Sequence, residues 1–149
     1  MRALHLPILL ACLLLAACEP GGSGAPAAPG AAAAPAVEAF SEGSARLWSG
    51  LFPCSDCQGV EMHLVLRLEG GKHRYEMLET YIGGKPPNRF DSQGEWSESA
   101  GSAEDLAIYV LNPGQAAQAF SLQADGSLQL LDALGKPLEP AVANRLQRL

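Results

Sequence analysis

The sequence predicts an all-β fold: a small antiparallel up-and-down barrel of about six to eight strands, following a signal peptide and a disordered linker. Three observations carry this. From Val60 to Glu69 the chain alternates with period two: Val60, Met62, Leu64, Leu66 and Leu68 face one way, and Glu61, His63, Arg67 and Glu69 the other. Gly70-Gly71 stands where a two-residue hairpin turn is needed before a second alternating run. Beyond Arg46 short strand-like runs succeed one another between Gly- and Pro-containing breaks, and no helical period appears.

The N-terminus reads as a targeting segment. Arg2 supplies a short positive region, and Ile8 to Ala17 is apolar but too short to span as a stop-transfer helix, so residues 1–17 are expected to be a signal peptide. Leu15-Ala16-Ala17-Cys18 resembles a bacterial lipobox, which makes Cys18 the expected lipidation site and places Cys12 in the removed part. Each buried methylene adds about 0.8 kcal/mol, so a multiply acylated cysteine is a durable membrane anchor. Glu19 rather than aspartate follows Cys18, as in lipoproteins sorted to the outer membrane. A lipid-anchored, periplasm-facing position on the outer membrane of a Gram-negative bacterium is therefore expected.

Residues 18–40 are read as the lipidated cysteine and its linker, and 41–149 as one barrel domain. Glu19 to Val37 is almost entirely Pro, Gly and Ala, with no apolar face to offset the entropy of ordering. Arg46 to Ser49 is expected to be the first strand, ending at Gly50. Val60–Glu69 and Lys72–Ile82 form the hairpin around Gly70-Gly71, the latter with Tyr75, Met77, Glu79 and Tyr81 on one face. Gly83-Gly84-Lys85-Pro86-Pro87 is a loop. Further strands are expected over Arg89–Ser97, with Phe90, Gly94 and Trp96 on one side, and over Leu106–Leu111. Ala119–Gln123 and Ser127–Asp132 make another pair across Ala124-Asp125-Gly126, and Arg145–Leu149 is a closing strand.

The formal net charge is −6, and no Lys/Arg cluster could follow phosphates, so no nucleic-acid partner is expected. No enzymatic activity is expected either. The scattered acids and the two histidines outside the signal segment, His63 and His73, assemble no catalytic constellation.

Chemistry concentrates in Gly50-Leu51-Phe52-Pro53-Cys54-Ser55-Asp56-Cys57-Gln58-Gly59. A thioredoxin-like site would need a helix after the motif to stabilise the thiolate, whereas a strand pattern follows Cys57, and Asp56 opposes thiolate formation. Structural zinc would need four ligands, and there is one C-x-x-C. Cu(I) accepts two thiolates, Cys54 and Cys57, with Met62 or His63 as further donors, although Met62 lies on the apolar face and His63 on the solvent face. A plain disulfide, stabilising by about 2 kcal/mol, is the remaining reading outside the cytoplasm. Disulfide, metal and redox readings all stay open on these residues.

Trp48-Ser49-Gly50-Leu51-Phe52-Pro53-Cys54-Ser55-Asp56-Cys57-Gln58-Gly59-Val60 resembles the signature of the NlpE N-terminal family, copper-resistance and envelope-stress lipoproteins. Tyr81-Ile82-Gly83, Phe90 with Gly94-Glu95-Trp96, and Asp125-Gly126 before Leu128, Leu130 and Leu131 follow the family's later spacing. The resemblance implies a lipocalin-related barrel on an outer-membrane lipid anchor, active in surface sensing and copper tolerance. It maps Cys54 and Cys57 onto the family's Cys-x-x-Cys. No cofactor is required on this reading; Cu(I) is the metal it suggests, and the partners are the membrane and an envelope sensor kinase or other envelope proteins. Longer members carry a second, OB-like domain, so a single-domain form is expected. The alternative is a lipocalin-like ligand-binding lipoprotein with a purely structural Cys54–Cys57 disulfide. A barrel with fewer strands than a lipocalin is expected to be filled by its own side chains.

Overall fold

The computed structural model describes residues 37–149 apart from 85, 87 and 103. The expected signal peptide (1–17), the expected lipidation site Cys18 and the expected linker up to residue 36 lie outside the described residues. The strands are β1 (Ala45–Phe52), β2 (Gly59–Glu69), β3 (Lys72–Ile82), β4 (Asn88–Ala100), β5 (Ala107–Leu111), β6 (Gln118–Leu122), β7 (Leu128–Leu131) and β8 (Arg145–Arg148). Each pairs antiparallel with the next, and β8 returns to β1 through Trp48↔Arg148 and Ser49↔Gln147, closing the barrel. The all-β up-and-down barrel read from the sequence is the fold observed. One single-turn 3-10 helix, Ala141–Ala143, is the sole helical element among the described residues.

Alternation places the core. Val60, Met62, Leu64 and Leu66 of β2 are buried, as are Tyr75 and Met77 of β3. They meet Trp48 from β1 and Tyr109, Phe120, Leu128 and Leu146 from the far wall. The two indoles keep their N–H groups satisfied: Trp48 Nε1 donates to Gly126 O at 2.9 Å, and Trp96 Nε1 to Arg67 O at 3.3 Å. Gly70 and Gly71, at φ 58° and 69°, make the turn between β2 and β3 that positive φ at both positions requires.

Several expectations are corrected. β1 does not stop at Gly50; pairing with β2 continues through Leu51↔Glu61 and Phe52↔Val60, because nothing in a lone glycine ends a ladder whose partner strand goes on. β4 is 13 residues long and exceeds 89–97 at both ends. The strand number equals a lipocalin's rather than falling below it, yet the interior is still occupied, since Trp48, Tyr109 and Phe120 all project into it. Phe90 does share the face of Gly94 and Trp96, but it is 56% exposed rather than buried, because β5 does not reach that part of β4. Arg89, on the solvent side of β4, forms an ion pair with Asp91 at 3.4 Å.

The stretch leading into β1 is part of the barrel. Val37 and Phe40 pack against the core, although both fall in the residues read as linker. Phe40 meets Trp96 and Tyr109 with ring centroids 4.7 and 6.2 Å away, and the Arg46 guanidinium sits 4.0 Å from its ring centroid. Arg46 also donates to the carbonyls of Glu38 and Ala39. Glu42 accepts the N–H groups of Gly70 and Gly71 at 2.6 and 3.1 Å, pinning the stretch to the β2–β3 turn. Beneath it, the Tyr109 hydroxyl is buried without a hydrogen-bond partner. Burial, then the nearby Glu98 carboxylate, pushes its pKa up to about 12.

Candidate functional site

The cysteine segment spans from the end of β1 to the start of β2. Phe52 is buried and roots one end of it, Pro53 ends the strand, and Gly59 opens the next. Gln58 N–H donates to Ile82 O at 2.9 Å, which ties the loop to the end of β3. Cys54 and Cys57 form a disulfide with Cα atoms 5.3 Å apart. Both are half-buried: one side packs on the core cluster and the other opens on a groove shared with Tyr81, Gly83, Gly84 and Asn88. Cys57 Sγ lies 3.3 Å from Gly59 O. In the disulfide that sulfur carries no proton, so this is a packing contact; the reduced thiol would have an acceptor there.

This arrangement has defined chemical consequences. A disulfide sulfur is not a thiolate, so the pair can bind a soft metal only after two-electron reduction and loss of both thiol protons. Both cysteines line the groove, the side from which an external thiol would approach. Asp56 is the charged side chain among the described groove residues, an arrangement that favours an approaching cation over an anion.

The other predicted donors do not converge on this loop. Met62 is 3% exposed and points into the core. His63 faces the opposite side of the same strand, with Nε2 3.4 Å from Glu61 Oε1. No group of three or more His, Cys, Asp or Glu side chains fit to hold a metal occurs among the described residues. Nothing in the sequence marks Tyr81 and Asn88 as neighbours of the cysteine pair. They reach the groove because β3 and β4 pair to their ends through Tyr81↔Asn88, a register that only the assembled sheet reveals.

The profile of the NlpE N-terminal domain matches residues 48–140. Lipoprotein NlpE of Escherichia coli K12 is 31% identical over 93 residues, which cover 62% of this chain and 36% of that protein. The chain thus spans about a third of the length of this relative. A solved Shewanella oneidensis protein described as a lipoprotein superposes with a TM-score of 0.49 at 21% identity, over 68% of this chain and 85% of its own. With the matched segment running from Trp48 in β1 through the cysteine pair to the turn before β8, this chain belongs to the NlpE N-terminal domain family.

Proposed function

We propose that this protein is a non-enzymatic, lipid-anchored envelope lipoprotein of NlpE type, attached through Cys18 to the outer membrane and facing the periplasm. Its Cys54–Cys57 loop is the responsive element in envelope-stress sensing and copper tolerance. The observation that supports this best is the placement of the cysteine pair: held on a rigid barrel, half-exposed beside an open groove, and bonded to each other. A purely internal staple needs no such access. In the proposed cycle an envelope dithiol attacks one sulfur and forms a mixed disulfide. Its second thiol then resolves that bond, leaving the reductant oxidised and Cys54 and Cys57 as thiols. Those thiols release two protons on binding Cu(I). Signalling to an envelope sensor kinase or another envelope protein would follow from the change in the loop. The ligand-binding alternative is not favoured, because Trp48, Tyr109 and Phe120 fill the interior.

The test is the thiol state of Cys54 and Cys57 in intact cells, by acid trapping, alkylation and mass spectrometry with and without added copper. A reduced or copper-dependent fraction supports the proposal. A pair that stays fully oxidised under every condition reduces the loop to a structural disulfide.

A further inference from the structure

Half of β4 has an open edge. β3 covers one side of it from Asn88 to Glu95, but β5 covers the other side only from Trp96 to Ala100. Asn112 N–H reaches Glu95 O at 2.9 Å, and among the described residues no strand pairs beyond that point. Every residue from Asn88 to Gln93 is exposed. Because the Glu95 carbonyl faces the open side, so do the backbone N–H and C=O groups of Gln93, Asp91 and Arg89, which alternate with it. Such an edge is a template for another strand.

We propose that this edge pairs antiparallel with the same edge of a second copy of the chain, centred on Phe90. Charge decides the register. Centring on Asp91 sets two carboxylates opposite each other, and centring on Arg89 sets two guanidinium groups opposite each other. Centring on Ser92 requires the Glu95 backbone, which Asn112 already occupies, and drives the incoming strand into β5. Centring on Phe90 places Arg89 of each copy across from Asp91 of the other. These two side chains stand on one face of the strand, 3.4 Å apart within a single chain. On the concave face the same register brings Phe90 against Phe90. Each ring is already flanked by Tyr81 at 5.5 Å, edge to face, so pairing buries an aromatic that is 56% exposed in the single chain. Charges on edge strands usually prevent pairing. Here their order permits one self-complementary register. The inference is independent of the cysteine chemistry.

The experiment uses the full chain in membranes. Phe90→Cys is expected to give a disulfide-linked dimer on oxidation, since directly opposed non-hydrogen-bonded residues bring their Cβ atoms within bonding reach; the unsubstituted chain and Gln93→Cys should not. In the Phe90→Cys background, Arg89→Asp or Asp91→Arg alone should cut cross-linking about tenfold by opposing like charges. Mixing those two variants should restore it as a heterodimer, which also shows that each one folds. A Phe90→Cys chain that stays monomeric, or single reversals that cross-link as well as the parent, would overturn the proposal.

Discussion

Tyr109 shows how one residue can cost stability in a well-packed core. Its hydroxyl is buried and unpartnered, so Tyr109→Phe removes an unsatisfied polar group and should be neutral or stabilising by up to about 1 kcal/mol. Its raised pKa has a pH signature as well. The neutral phenol is favoured in the fold, so its contribution is complete below pH 10. It is lost as pH rises through the folded value of about 12, a fall of about 2–3 kcal/mol over that window. Denaturant unfolding across the alkaline range should show this limb in the parent and a shallower one in Tyr109→Phe. The cysteines act differently. Their bond closes a small loop, so replacing both with serine should cost about 2 kcal/mol while leaving the barrel folded. Loss of the β-sheet circular dichroism spectrum would mean that the bond does more than pin the loop.

At the scale of elements, the stretch before β1 packs on the barrel core and is tied to the β2–β3 turn, although its composition looks like linker. Phe40 packs against the Trp96 and Tyr109 rings and the Arg46 guanidinium. Phe40→Ala should lower stability by about 2 kcal/mol and change the environment of Trp96, read as a shift in tryptophan emission. Unaltered emission would show that the stretch does not pack on the barrel in solution. Little in the sequence announces this role. An isolated aromatic followed at a short interval by an arginine is compatible with either a tether or a packed segment, and only the rings of β4 and β5 decide between them. Strand lengths were obscured for a related reason. Gly50 looks like a stop when read alone, but β2 continues opposite it, so hydrogen bonding carries β1 on to Phe52.

For the whole molecule, closure is the vulnerable step. β8 meets β1 over a short ladder, and a Cβ at Gly50 would fall 2.5 Å from Arg145 O and 3.1 Å from a Leu146 side-chain carbon. Gly50→Ala should therefore prise the seam apart and destabilise by about 1–3 kcal/mol, measured by thermal unfolding. An unchanged midpoint would show that the seam relaxes freely. By itself the sequence determined the all-β class, the β2–β3 hairpin and its turn, most of the inward-facing core and the cysteine segment as the place for chemistry. Those features rest on local periodicity, turn geometry and residue type, which adjacent residues express on their own. The tertiary structure alone decided that Phe40 and Val37 join the core, that Tyr81 and Asn88 line the groove beside the cysteine pair, and that Phe90 stands exposed on an open edge. Each of these depends on which strand lies alongside, how far it runs and where the barrel closes, and that is set by pairing between segments distant in the chain.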